Sequence, residues 1–277
     1  MTLIAILVGT LIAGIGSVWL AAALSFGLLA RYTQHMLSLA AGALMATAFL
    51  HLLPEAFESQ AGAKELFMTL LMGLVFFFLL DKAELWHHGH EHHHQHDPAH
   101  NNARGHDHPH AHAHAHDAPK PGSWAVLTGD SVHCFGDGVL IASAFMADMR
   151  LGAIAALAVL MHEIPHHMGD LMVLRNGEGT GEGTGLGDKR MAVIKVSLAG
   201  AVTAIGGVLG YWLVDQLREF LPYFLVVASS SFIYVALADL IPQLQKRLSA
   251  WQTAAQIVWL GVGIGLVTVM SSLAHTH

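Results

Sequence analysis

The sequence predicts an all-α integral membrane protein with eight transmembrane helices. Three observations carry that prediction. First, 54% of the 277 residues are hydrophobic and only 12% are charged, about half the charged share of a soluble domain, which is roughly 25%. Too little polar surface remains to cover a water-soluble globule, so a soluble enzyme and a mostly disordered chain are both excluded. Second, the apolar residues come in long unbroken runs rather than in the short alternating segments of a membrane β-barrel. Third, isolated Gly and Pro punctuate these runs, as bilayer helices tolerate and water-soluble ones do not. The formal charge of −7 gives no basic surface for nucleic acid. A single cysteine, Cys134, rules out an intrachain disulfide and any metal site made of cysteine alone.

A bilayer core takes roughly 20 mostly apolar residues per helix. Eight segments meet this length: 3–24, 36–57, 65–86, 124–147, 151–174, 191–214, 220–244 and 252–274. The first and last carry no charged residue. The first is too long, and is followed by too many further spans, to be read as a cleaved signal peptide. An even number of spans puts both termini on one side. With the termini outside, the inner loops and helix ends hold Arg31, Lys82, Arg104, Lys120, Arg175, Lys189, Arg190, Lys195, Lys246 and Arg247; the outer ones hold only Lys64, Arg150 and Arg218. Cytoplasmic loops concentrate Lys and Arg, so the termini are expected to be extracytoplasmic in a plasma or inner cell membrane.

This orientation divides the chain into a first three-helix set (1–86), a cytoplasmic loop (87–120), helices 4 and 5 (121–174), a second loop (175–190) and a second three-helix set (191–277). The first loop is of low complexity and holds 14 of the 22 histidines; the second contains the Gly-rich run NGEGTGEGTGLGD. Neither composition can build a packed core. The His-rich loop is read either as a solvated tract or as a metal collector or sensor. A faint repeat joins the two three-helix sets. At an offset of 188 residues, Phe49-Leu-His51-Leu-Leu-Pro54-Glu55 falls on Leu237-Ala-Asp239-Leu-Ile-Pro242-Gln243. One copy ends outside and the other inside, the pattern of an inverted-topology repeat.

Helices 4 and 5 differ from the rest. A charged group at the bilayer centre costs at least about 2.5 kcal/mol, so such groups face the bundle interior and serve function. Helix 4 carries Asp130, His133, Cys134 and Asp137; helix 5 carries His162, Glu163, His166, His167 and Asp170. Several pairs stand three or four residues apart, a spacing that brings side chains together on one helix face. Imidazole with carboxylate suits Zn²⁺ and its first-row neighbours. Cys134 is either a small apolar filler or a soft ligand. A purely structural ion-pair network is the competing reading.

Three patterns compete for these residues. His162-Glu163-Ile164-Pro165-His166 fits the H-E-x-x-H of zinc proteases, although Pro165 removes a helix hydrogen bond between the two histidines. His133-x3-Asp137 and His166-x3-Asp170 look like the H-x3-D of cation diffusion facilitators, which export zinc from about six spans and carry a soluble C-terminal domain. Lastly, His133-Cys-Phe-Gly-Asp137-Gly-Val-Leu-Ile-Ala-Ser-Ala-Phe145 resembles the fourth-helix motif H-N-x-x-D-G-x-x-I-x-x-A-F of ZIP (Zrt/Irt-like) metal transporters. His162-Glu-Ile-Pro-His166-His-Met-Gly-Asp170 resembles the fifth-helix motif of their LIV-1-like members, H-E-x-P-H-E-x-G-D. The helix ends at Pro54 and Pro242 and the His-rich loop also fit, so this likeness spans essentially the whole chain.

The resemblance implies eight helices in a 3+2+3 arrangement with inverted halves, extracytoplasmic termini and frequent homodimers in the lipid bilayer. It implies transport of Zn²⁺ into the cytoplasm, with Cd²⁺, Fe²⁺ or Mn²⁺ as further substrates, and no enzyme activity or organic cofactor. It also implies a two-metal site. His133, His162 and His166 would line one position; Cys134, Asp137, Glu163 and His166 would line the other, with Glu163 or His166 shared between them. His51 and Glu55 would sit near the outer entrance, His167 and Asp170 on the inward exit, and Asp239 at the end of helix 7 on the transport path. Two departures stand out: the family commonly has Asn where this chain has Cys134, and Glu where it has His167. A thiol softens the second position and favours Cd²⁺. Ser197 is the candidate for the polar residue often found on the sixth helix.

Overall fold

The computed structural model describes residues 1–25, 33–89, 123–177, 186–244 and 249–275. The His-rich loop beyond residue 89 and most of the Gly-rich segment lie outside the described residues, as do Arg31, Arg104, Lys120, Lys246 and Arg247. Among the described residues the chain is almost wholly helical, without strands, and forms eight rods. Rod α1 comprises Thr2–Leu11, a π turn Ile12–Gly16, and Ser17–Ser25; α2 comprises Thr33–Thr47, a π turn Ala48–Leu52, and Leu53–Phe57. Then come α3 (Ala63–Gly89), α4 (Ser123–Ala147), α5 (Met149–Gly177) and α6 (Leu186–Gln216). Rod α7 runs from a 3₁₀ turn Arg218–Phe220 through Leu221–Tyr234 and a π turn Val235–Leu240 to Ile241–Leu244, and α8 is Ala250–His275.

Six rods, α1, α2, α3, α6, α7 and α8, are long and apolar enough to cross a membrane. Helices α4 and α5 are as long, at 25 and 29 residues, but carry the ionisable groups. A single residue, Asp148, separates them. Its Oδ1 accepts the backbone N–H groups of Arg150 at 2.8 Å and Leu151 at 3.2 Å, satisfying donors that the first turn of α5 leaves without helical partners. The two helices therefore run antiparallel and pack side by side.

The π turns mark the two copies of the repeat. Ala48–Leu52 and Val235–Leu240 occupy matching positions, each followed within two residues by a proline, Pro54 or Pro242. A proline lacks the N–H for its helical bond and crowds the carbonyl four residues earlier. A widened turn at that point relieves the crowding, which gives both π turns the same local cause. The principal contacts follow the same exchange of halves. Helix α2 packs on α8 and α3 on α7; α4 packs on α6 and α5 on α1; α4 also meets α7, as α5 meets α2.

Close approach between rods rests on glycine. Gly14 of α1 and Gly200 of α6 lie backbone to backbone, so a Cβ on either would strike the other's carbonyl oxygen. Gly138 of α4 sits against the Thr203 carbonyl, and Gly206 of α6 against that of Phe135. Small residues supply this kind of packing where lipid offers no hydrophobic driving force between helices. The main apolar core, including Ile6, Leu44, Leu52, Ile141 and Phe232, fills the bundle on the side of the α4–α5 turn. By contrast α3 turns Phe67, Leu71, Phe76 and Leu79 outward, as a helix in contact with lipid does.

Candidate metal centre

Three groups of ligand-type side chains lie between α4 and α5, stacked along the helix pair. The group nearest the α4–α5 turn joins His133, Asp137, His162 and Glu163. Here His162 Nε2 lies 3.2 Å from both Asp137 Oδ2 and Glu163 Oε1. His133 Nε2 is 3.3 Å from Glu163 Oε1 and 3.3 Å from His162 Nε2. The second group joins Asp130, Cys134, Glu163 and His167. His167 Nε2 is 3.0 Å from Glu163 Oε2 and 3.5 Å from Asp130 Oδ1. Cys134 Sγ is 3.6 Å from Asp130 Oδ1, 3.8 Å from Glu163 Oε2 and 4.0 Å from His167 Nε2. The third group, toward the far ends of the pair, joins Asp130, His166 and Asp170. His166 Nε2 is 4.0 Å from Asp130 Oδ1 and 3.9 Å from Asp170 Oδ2.

Helical register explains the stacking. Asp130 and Asp137 stand seven residues apart on one face of α4, a rise of about 10 Å. Glu163 sits where the first two groups meet and turns one carboxylate oxygen to each. Asp130 belongs to both the second and the third group. Adjacent groups therefore share a carboxylate.

Burial is deepest in the middle of the stack, and each end group carries one partly exposed histidine. Asp137, His162, Glu163, Asp130 and His167 are almost wholly enclosed, whereas the side chains of His133 and His166 are 29% and 37% exposed. Several enclosed carboxylate oxygens, Asp130 Oδ2, Asp137 Oδ2, Glu163 Oε1 and Asp170 Oδ2, have no partner in hydrogen-bond geometry. Asp137 Oδ2 and Glu163 Oε1 nonetheless lie close to imidazole nitrogens, at 3.2 Å. Buried polar atoms without hydrogen bonds are costly. Lone pairs that converge in this way have the chemistry to surround a cation. A mixed imidazole, carboxylate and thiol set suits Zn²⁺ and softer divalent ions better than Mg²⁺ or Ca²⁺.

The sequence pattern of the ZIP zinc transporters matches residues 1–271. The chain belongs to the ZIP zinc transporter family. It is 25% identical to zinc transporter ZIP13 of Pongo abelii, over 98% of this chain and 79% of that protein. Identity to human ZIP13 is 27%, over 86% of this chain and 70% of that one. A stretch covering 44% of this chain is 34% identical to mouse zinc transporter ZIP4, of which it spans 17%. The protein is thus a zinc transporter embedded in the membrane, with the divalent ion as its substrate. ZIP proteins are transporters and not enzymes, so His162-Glu163-x-x-His166 does not mark a protease here.

Within this ZIP chain the geometry distributes the residues differently from the resemblance. Asp137 stands with His133 and His162 rather than with Cys134; His166 stands with Asp130 and Asp170, outside the first two groups; His167 joins Cys134 and Glu163. Asp130 appears in the sequence only as one ionisable residue among several, although its position four before Cys134 on the same face is the signal that places it. His51, Glu55 and Asp239 belong to none of these groups. Glu55 and Asp239 are exposed, and Asp239 Oδ1 accepts the Gln243 side-chain N–H at 2.9 Å. Ser197 Oγ is buried and makes no hydrogen bond.

Proposed function

We propose that this ZIP transporter carries Zn²⁺ into the cytoplasm through a two-metal site formed by the first two groups on α4 and α5. The observation that carries the reading is Glu163, whose two oxygens each face a complete set of further donors. In this reading all eight rods cross the bilayer, with extracytoplasmic termini and a cytoplasmic His-rich loop. The symmetric helix pairing and the matched π turns support two inverted halves around the α4–α5 pair. An ion comes in past His51 and Glu55, exchanges its waters for the ligands of the first group, and passes through Glu163 to the second. The third group, with His166 and Asp170, receives it on the way out.

The inward direction rests on the likeness to ZIP zinc transporters. The partly exposed His133 and His166 open the first and third groups at the two ends of the stack, with the enclosed second group between them. A metal that must leave cannot sit in a closed structural site, and three partly overlapping groups provide successive exchanges instead. Helix α5 stays helical through Pro165. Pro165 gives no N–H to the Met161 carbonyl, which leaves a polar backbone atom beside the ligand groups. Cys134 extends the substrate range toward Cd²⁺, with Fe²⁺ and Mn²⁺ as weaker substrates and no organic cofactor. A homodimer is the expected assembly.

The test is metal flux into proteoliposomes of known orientation, comparing Zn²⁺, Cd²⁺, Fe²⁺ and Mn²⁺. Zinc should accumulate in vesicles whose lumen corresponds to the cytoplasm. Transport only in the opposite sense, driven by a pH gradient, would overturn the direction. Absence of flux for all four ions would overturn the site.

A further inference from the structure

We propose that Ser17 on α1 is a positioning residue that presents His167 to the metal, although α1 contributes no ligand. The inference rests on reading the second group as a metal site. Ser17 is fully buried, immediately after the π turn Ile12–Gly16. Its Oγ lies 2.6 Å from the Gly14 carbonyl oxygen and 3.0 Å from His167 Nδ1.

A serine hydroxyl has one hydrogen and two lone pairs. A carbonyl can only accept, so the short contact to Gly14 commits that hydrogen. The remaining contact then has one polarity: His167 Nδ1–H donates and Ser17 Oγ accepts. The opposite ring nitrogen, Nε2, is the one that lies beside Glu163 Oε2 and Asp130 Oδ1 and faces Cys134. A ligating imidazole needs this arrangement, with its outer nitrogen held as a donor and its inner lone pair aimed at the metal.

Gly14 itself is held against Gly200 of α6. The anchor of His167 therefore runs from the ligand group, through Ser17, into the contact between α1 and α6. A glutamate, the common family residue at position 167, has no tautomer to set. The Ser17–His167 pair thus answers a requirement created by the histidine.

The test uses the purified full chain and Co²⁺ as probe. Cys134 is the only cysteine, so a thiolate-to-cobalt charge-transfer band reports the second group alone, without interference from the His-rich loop. Ser17→Ala should raise the Co²⁺ concentration at half-maximal band by about tenfold or more, the usual effect of losing such an outer partner. The same substitution in a His167→Ala background should add no further shift, because the residue it positions is already gone. A wild-type titration for Ser17→Ala, or an equal shift in both backgrounds, overturns the proposal. If the unsubstituted protein gives no thiolate–cobalt band, the metal reading of the second group fails, and the proposal fails with it.

Discussion

Replacing Glu163 with glutamine keeps the side chain's shape but removes its charge, and it should disable two ligand groups at once. In the structure Glu163 Oε1 faces His133 and His162 at 3.3 and 3.2 Å, and Oε2 faces His167 at 3.0 Å. Truncating one partner of a buried, hydrogen-bonded charge pair weakens binding by roughly 2–5 kcal/mol. At about 1.4 kcal/mol per tenfold, metal binding should weaken by roughly one and a half to three and a half orders of magnitude in each group. Asp137→Asn should weaken the first group only, and Cys134→Ala the second only. The assay pairs metal content per purified protein with zinc flux into vesicles, on variants that elute like the unsubstituted chain. Glu163→Gln should lose flux and metal from both groups. A Glu163 acting as a hydrolytic base would leave zinc binding tight. Near-normal flux in Glu163→Gln, or loss of metal from one group alone, would refute the shared-ligand reasoning.

Three further outcomes are expected. Bound Cd²⁺ should protect Cys134 from a small permeant thiol reagent, and Cys134→Asn should weaken Cd²⁺ binding more than Zn²⁺ binding; equal labelling with and without Cd²⁺ would make the thiol a packing residue. Deletion of residues 87–118 should leave vesicle transport largely intact while reducing the metal bound per chain; complete loss of transport in a folded deletion would put the loop histidines on the obligatory path. Gly206→Ala should destabilise the protein by about 1–3 kcal/mol, because its Cβ would meet the Phe135 carbonyl, whereas Gly261→Ala, with open space around the new methyl, should not lower the melting temperature in detergent.

The sequence announces the helices better than it announces their partners. Charge-free runs such as 3–24 and 252–274 have no stable alternative to a helix in lipid, and the ionisable residues of helices 4 and 5 declare an interior face. Depth along that face is harder to read. His166 is four residues from His162, and His167 is four from Glu163, so spacing alone suits either histidine to the central groups. The packing of α5 against both α1 and α4 separates them: it turns His167 inward onto Ser17 and leaves His166 toward the third group. Ser17 gave no signal at all, being one small polar residue in an apolar helix, a type that usually bonds back to its own backbone. The π turns were legible only in part, since Pro54 and Pro242 betray the repeat while nothing comparable marks Ile12–Gly16.

Glu163 also bears on how traffic through the protein should depend on supply. Two divalent ions held side by side would draw on the same carboxylate, and each would loosen its neighbour's grip while repelling it directly. Occupancy would then be anticooperative: the first ion binds firmly, the second weakly, and the arrival of the second hastens the departure of the first. Tight capture at scarcity and rapid turnover at abundance ordinarily oppose each other. A single carboxylate shared in this way would reconcile them, and its kinetic mark would be a flux that keeps climbing well beyond the concentration at which the first ion saturates.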